Sequence, residues 1–356
     1  MKYKKLYIPG PVEVSKDILE EMSHWMVGHR SSDYKELHSA VIPKLKKLLF
    51  TENYHVFLGT HSSTGWMEAA VKNCVHKKVL SCVCGAFSKR WNEIAAACGL
   101  ENDKYEVPWG HGYDPAEIDK RLASGEYDAV TVVHNETSTG VMNKLEEIAE
   151  VVKKYPDVSL LVDAVSSMTG VKIEVEKLGV DVILAGVQKA FALPPGLAVV
   201  AVSPKAMQKS EAAKNKGYYF DFKVFEKYAT KDNTPTTPVI SLIFALNKML
   251  DKMFAEGLDK RFARHLEMAE RVRGWGEEHF ELYAQPGFRS NTLTTIKNTK
   301  GISVADLNKK LGEEGLAISN GYGKIKEETF RIAHMGDFTM DDIEQILSAI
   351  DKILGF

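Results

Sequence analysis

The run Asp181-Val182-Ile183-Leu184-Ala185-Gly186-Val187-Gln188-Lys189 decides the fold. Its apolar residues do not alternate with polar ones, which is how a strand reads when both faces of its sheet are covered, as in parallel sheets flanked by helices. Lys189 follows just past the carboxyl end of that strand, where open α/β sheets bind ligands. An amine partly withdrawn from water there loses its proton below the ordinary lysine value of about 10.4 and becomes a nucleophile able to form a Schiff base. Taken alone, the run reads more simply as a strand followed by a solvated loop lysine.

Moving outward, Leu160-Leu161-Val162-Asp163-Ala164-Val165-Ser166-Ser167 puts a carboxylate at the end of a second buried strand. A charge there needs a partner or a task. It either caps the next turn or faces a cationic ligand, such as the protonated ring nitrogen of a pyridoxal cofactor. Further back, Ser62-Ser63-Thr64-Gly65 joins a strand to a helix. Hydroxyls and unpaired N–H groups at a helix start bind phosphate, although a plain N-cap uses the same residues.

Around these runs, short β-rich segments at 54–59, 78–84, 103–107, 128–134, 158–163, 181–185 and 197–202 alternate with helical ones at 64–76, 87–98, 114–124 and 144–155. The rhythm predicts an α/β fold with a mostly parallel seven-stranded sheet covered on both faces. Two helices between 13 and 50 lead in. A polar stretch over 209–238, followed by amphipathic helices at about 239–255 and 259–280, reads as a connection. A small α+β unit follows, with 292–297, 316–320 and 329–333 extended and 303–314 and 339–353 helical. The expected division is a large cofactor-binding domain over 13–255 and a small domain over 256–356 that also takes the N-terminal segment 1–12.

Composition narrows the function classes. In 356 residues, 46 Lys and Arg face 48 Asp and Glu, a net charge of −2 with the signs interspersed. Such a balance gives no basic footprint for nucleic acid or an anionic membrane. The four cysteines, Cys74, Cys82, Cys84 and Cys98, form no C-x-x-C pair, so neither a metal site nor a redox pair is expected. No apolar h-region follows Met1–Leu6, and no run approaches the roughly 18 apolar residues of a membrane helix. A cytoplasmic protein working on small molecules is the expectation.

The order of the runs carries a resemblance. Gly28-His29-Arg30-Ser31, Ser62-Ser63-Thr64-Gly65-Trp66-Met67-Glu68-Ala69-Ala70, Glu136-Thr137-Ser138-Thr139-Gly140-Val141, Val162-Asp163-Ala164-Val165-Ser166-Ser167, Gln188-Lys189-Ala190, Pro194-Pro195-Gly196-Leu197 and Arg331-Ile332-Ala333-His334-Met335-Gly336 stand in sequence from end to end of the chain. They resemble those of the class V aminotransferases, in particular the serine–pyruvate and alanine–glyoxylate aminotransferases. The resemblance implies the fold of type I pyridoxal-phosphate (PLP) transferases and pyridoxal 5′-phosphate as cofactor. It puts a Schiff base at Lys189, a ring-nitrogen partner at Asp163 and a phenolic-oxygen contact at Thr137. It also implies phosphate contacts from Ser63, Thr64 and Gln188, a stacked ring at Phe87 and a further cofactor contact at Val165. Arg331 matches the arginine that grips the substrate carboxylate. Thr236 matches a threonine that reaches the phosphate from the neighbouring subunit, so a homodimer with shared active sites is implied.

Asn233 departs from this pattern where relatives can carry a phosphate-binding tyrosine, Ala333 replaces a glycine, and Ser63 occupies a common glycine position. The loop Asn320–Lys326 is more basic than usual. Small amino acids and 2-keto acids are the expected substrates, with alanine or serine as donor and glyoxylate or pyruvate as acceptor. Phosphoserine, aspartate or glutamate as donor is the alternative on the same scaffold. A cysteine desulfurase, a lyase and a non-catalytic subunit are more distant readings.

Overall fold

Ile183 and Ala185 point to one side of their strand and Val182 and Leu184 to the other, and each pair is buried in a different apolar cluster. The same division runs through the neighbouring strands, with Leu160 and Val162 in one cluster and Leu161 in the second. This is the period-two geometry of a strand acting in a sheet with two covered faces, and it explains why these strands read as unbroken apolar runs. Truncating one such side chain, as in Leu184→Ala, costs about 2–5 kcal/mol.

The computed structural model describes residues 3–356; Met1 and Lys2, the start of the expected segment 1–12, lie outside the described residues. Along the chain the strands are β1 (Lys5–Tyr7), β2 (His55–Gly59), β3 (Lys78–Val83), β4 (Glu101–Glu106), β5 (Ala129–Val133), the short pair β6 (Asn135–Glu136) and β7 (Val141–Met142), β8 (Ser159–Asp163), β9 (Val182–Gly186), β10 (Ala198–Val202), β11 (Glu281–Leu282), β12 (Leu293–Lys297), β13 (Leu316–Asn320) and β14 (Thr329–Ala333). Seven form a sheet in the order β2-β10-β9-β8-β5-β3-β4, and five form a second in the order β1-β13-β14-β12-β11. In the large sheet only β10 runs against its neighbours, β9 and β2. The other pairings are parallel, as the alternation predicts.

Two features differ from the reading of the sequence. The stretch 209–238 is not a plain connection, because it contains the end of the helix Pro204–Ala212 and all of the helix Phe222–Ala229. Phe222 and Phe225, three residues apart and so on one helical face, pack on Phe57 and Trp66 in the core. Their spacing is hidden among charged residues that face outward. The chain start, in turn, forms a strand of its own, β1, which pairs with β13 in parallel, Tyr7 opposite Ile318.

From β1 the chain crosses to the large sheet. The Val12 amide donates to the Gln188 carbonyl at 3.0 Å. Gly10 lies against Lys189, where an added Cβ would stand 3.0 Å from the lysine Cγ, and its φ of +114° disfavours any side chain. No helix among the described residues is long and apolar enough to cross a membrane.

Candidate active site

Five parallel strands, β2, β3, β5, β8 and β9, end on one edge of the large sheet, and the residues singled out from the sequence follow those ends. A cavity of about 220 Å³ there is lined by Ser63, Thr64, Phe87, Thr137, Asp163, Val165, Gln188 and Lys189, together with Ser62, Met67, Arg90 and Asn135. A larger surface groove of about 860 Å³ runs along Lys46, Lys47 and Glu176. Glu176 is engaged in holding the Thr51–Asn53 turn through side-chain and backbone donors.

Lys189 is 8 % exposed. Its Nζ donates to the hydroxyls of Thr137 at 2.9 Å and Ser166 at 2.8 Å, which are themselves 2.5 Å apart. Loss of solvent pushes its amine down to about 8, against the opposing pull of Asp163. The amine is therefore far closer to its neutral, nucleophilic form than a surface lysine.

Asp163 closes β8. One carboxylate oxygen accepts the Val165 amide at 2.8 Å, and the other has no hydrogen bond among the described residues. Burial raises the acid, with Lys189 working against that rise. The turn cap suggested by the sequence and an open oxygen for a cation are thus both present in one side chain.

The helix Ser63–Cys74 begins at the cavity wall. Ser62 holds its N-cap position without a side-chain cap bond, and the hydroxyls of Ser63 and Thr64 make no hydrogen bond among the described residues. First-turn N–H groups of a helix lack intrahelical acceptors, so hydroxyls, amides and the helix dipole all favour an anion here.

Asn135 was not singled out from the sequence. It is 2 % exposed and lines the cavity, yet neither its amide nitrogen nor its oxygen has a partner. An orphaned buried amide costs roughly 1–3 kcal/mol, which a polar ligand would offset. Beside it Glu136, fully buried, accepts from the Phe87, Ser88 and Ser138 amides and from two hydroxyls. Those bonds fix the start of the helix Ala86–Ala97 and hence the Phe87 ring.

Arg331 comes from the other sheet. On β14 it pairs with Thr295 of β12 and Ser319 of β13, and its guanidinium is held by the Asn320 carbonyl at 3.2 and 3.1 Å and the Thr137 carbonyl at 3.1 Å. Burial lowers it to about 10, opposed by Tyr322 and Glu136, so it stays charged at neutral pH. No carboxylate pairs with it among the described residues. Tyr322 stands 5.6 Å from the guanidinium and 5.2 Å from the Phe87 ring. Thr236 is not at the cavity of its own chain; only its carbonyl is engaged, by the Thr234 hydroxyl.

Two other basic residues near the motifs, Arg30 and Lys324, have partners away from the cavity. Arg30 holds the carbonyls of Thr234 and Pro235 and the Asn233 side chain. Lys324 stands 4.5 Å over the Trp109 ring. Asn135, Arg90, Ser166 and Tyr322 are the neighbours that sequence reasoning did not single out. Arg90 alone carried a usable signal, its spacing of three from Phe87 on a helix.

These open donors and acceptors, an orphaned amide, an open carboxylate oxygen, a desolvated lysine and a helix start, fit the ring, phosphate and carbonyl of pyridoxal phosphate. Comparison with known proteins agrees. The model of the family described as aminotransferase class-V matches residues 11–344. An uncharacterized aminotransferase of Methanocaldococcus jannaschii is 38 % identical over 99 % of this chain and 94 % of its own. An L-aspartate–glyoxylate aminotransferase of Paracoccus denitrificans is 32 % identical over 94 % and 87 %. The solved alanine–glyoxylate aminotransferase of Nostoc superimposes with a TM-score of 0.94 at 27 % identity, covering 99 % of this chain and 96 % of that one. The chain belongs to the class V aminotransferases, enzymes that transfer amino groups with pyridoxal phosphate as cofactor.

Proposed function

We propose that this enzyme moves the amino group of alanine or serine to glyoxylate or pyruvate, with Lys189 as the cofactor lysine and Arg331 as the grip on the α-carboxylate. Arg331 carries the reading. Of the five N–H donors of a guanidinium, three are used by the Asn320 and Thr137 carbonyls, which leaves one on each terminal nitrogen. That pair suits a carboxylate bound in a bidentate way, and an anion there offsets the cost of a buried, unpaired charge.

Bound pyridoxal phosphate supplies the carbonyl that takes up the amino group and a ring that spreads the charge left at the donor's Cα. Ser63, Thr64 and Gln188 would hold the phosphate, Asp163 the ring nitrogen, Phe87 and Val165 the ring, and Thr137 the phenolic oxygen. Lys189 Nζ takes the proton from the donor's Cα in one half-reaction and returns one to the acceptor's Cα in the other. Arg331 fixes which bond at Cα faces that amine.

The donor follows from the charges that remain. Arg30 is held by the 233–235 loop, Lys324 stands over the Trp109 ring, and neither lines the cavity, which argues against a phosphate or second carboxylate on the donor. Glyoxylate as acceptor is supported by the names of the Paracoccus relative and the Nostoc enzyme. A desulfurase would need an accessible thiolate at the cavity, whereas Cys74, Cys82 and Cys84 are buried, half-buried Cys98 does not line the cavity, and burial pushes all four thiols up.

The test is kcat/KM for alanine, serine, aspartate, glutamate and phosphoserine against glyoxylate and pyruvate at two salt concentrations. Alanine or serine should lead. A phosphoserine preference that weakens with salt would overturn the substrate reading.

A homodimer in the cytoplasm, with Thr236 reaching the phosphate of the neighbouring copy, belongs to the same proposal, as does the division into 13–255 and 256–356 with 1–12. Mixing Lys189→Ala with Thr236→Ala protein should regenerate some intact sites. No regain counts against sharing.

A further inference from the structure

We propose that Arg90 is the cation that holds the cofactor's phosphate at the start of the helix Ser63–Cys74, an inference that rests on the placement of the phosphate at that turn. Arg90 lies one turn beyond Phe87 on the helix Ala86–Ala97, so the two share a face. The next residue fixes where that face stands. The Trp91 indole donates to the Met67 carbonyl at 3.2 Å, which ties this part of the helix to the first turns of Ser63–Cys74. Arg90 thereby shares a cavity wall with Ser62, Ser63 and Thr64.

Its charge is felt by Asp163 and Lys189 only through space. Arg90 makes no hydrogen bond or ion pair among the described residues, and its guanidinium rests 5.0 Å from the Phe87 ring. Glu93, three residues on and the acid nearest along the helix, is paired with Lys89 at 3.0 Å. The other cation lining the cavity, Lys189, already gives its amine to Thr137 and Ser166. A phosphate ester carries about −1.5 to −2 charges at neutral pH, and a helix start offers only about half a positive charge. The hydroxyls and amides at the turn can orient the phosphate, but among the described residues lining the cavity only Arg90 is left to neutralise it.

The alternative ligand for this cation is a second carboxylate on the donor. Against it stands the position of Arg331, held through the Thr137 and Asn320 carbonyls beside Tyr322. Arg331 is absent from the lining of the cavity that Arg90 shares with Met67 and Ser62–Thr64, and Trp91, next to Arg90, bonds Met67.

The experiment compares cofactor affinity with and without the phosphate. Purified wild-type, Arg90→Ala and Arg90→Lys proteins are stripped of cofactor and titrated by absorbance with pyridoxal phosphate, with phosphate-free pyridoxal, and with pyridoxal phosphate in the presence of inorganic phosphate. In Arg90→Ala the Kd for pyridoxal phosphate should rise roughly 10- to 100-fold, the range for a lost charge-assisted contact. The Kd for pyridoxal should stay within about twofold, as for a surface substitution, and competition by inorganic phosphate should weaken. Arg90→Lys, which keeps the charge, should recover most of the preference for the phosphorylated form. Equal weakening of both ligands would mean that Arg90 only supports Phe87, and would overturn the proposal. So would unchanged cofactor affinity with a raised KM for aspartate alone, which would assign Arg90 to the donor. A wild-type protein that favours pyridoxal phosphate no more than pyridoxal would instead sink the phosphate turn itself, a separate failure.

Discussion

The two ends of the cleft are built on different principles. At the cofactor end, side chains project from the ends of five strands that all run one way in the large sheet, and Lys189 and Asp163 lie in each other's field. At the donor end a single side chain of the small sheet, Arg331, reaches across to the Thr137 carbonyl without a carboxylate of its own. Its placement depends on antiparallel register, Arg331 opposite Thr295 on one side and Ser319 on the other. A slip of one residue would turn it to the opposite face. On the roles proposed for these residues, the comparison gives a division of labour, in which the large sheet would set what reaction is done and the small sheet to what.

The largest effect should fall on the cofactor end. On the proposed role of Lys189, Lys189→Ala would remove both the cofactor attachment and the proton carrier, and turnover should drop by about 10⁴-fold or more; a variant that still transaminates would break the assignment. At the donor end, Arg331→Gln should lower kcat/KM for alanine by roughly 100-fold, the scale of a lost bidentate charge pair. Cofactor affinity should change far less, because Arg331 meets the cofactor end only through the Thr137 carbonyl. Equal losses of cofactor and substrate affinity would contradict that separation.

Asp163→Asn should retain cofactor but slow proton abstraction by more than tenfold, about 1.4 kcal/mol of barrier. A smaller slowing, read in single-turnover experiments, would mean that Asp163 only caps its turn. The pH dependence is subtler. Because burial lowers Lys189 to about 8, its amine is protonated below that pH and neutral above it. The rate of cofactor attachment should therefore rise with pH through a midpoint near 8, in place of the ordinary lysine range; a midpoint near 10 would show that the amine is solvated. The smallest effect belongs to Lys324→Ala and Lys326→Ala, which should leave kcat/KM for serine within about twofold, as for exposed side chains.

Lys189 and Asp163 were legible in the sequence because a strand end fixes a residue's place without knowledge of distant contacts, and an uninterrupted apolar run announces the strand. Arg331 was legible only through its motif, since the register that aims it joins strands from separate segments. The chain start was not legible as a strand at all, because β1 has only three residues and its partner β13 lies near the other end of the chain. Asn135 escaped notice for a different reason. An asparagine beside a turn is ordinary, and only the absence of partners for its buried amide marks it. For Lys324 the basic character of the loop left its place open, and the short turn Gly323–Ile325 carries it to Trp109.

The division of labour stands or falls on where the cofactor is attached. Reduction of the cofactor-loaded enzyme with borohydride, followed by digestion and mass mapping, should recover the pyridoxyl group on the peptide containing Lys189, with no other lysine labelled in proportion. A label on another lysine, or none with the enzyme fully active, would contradict the account.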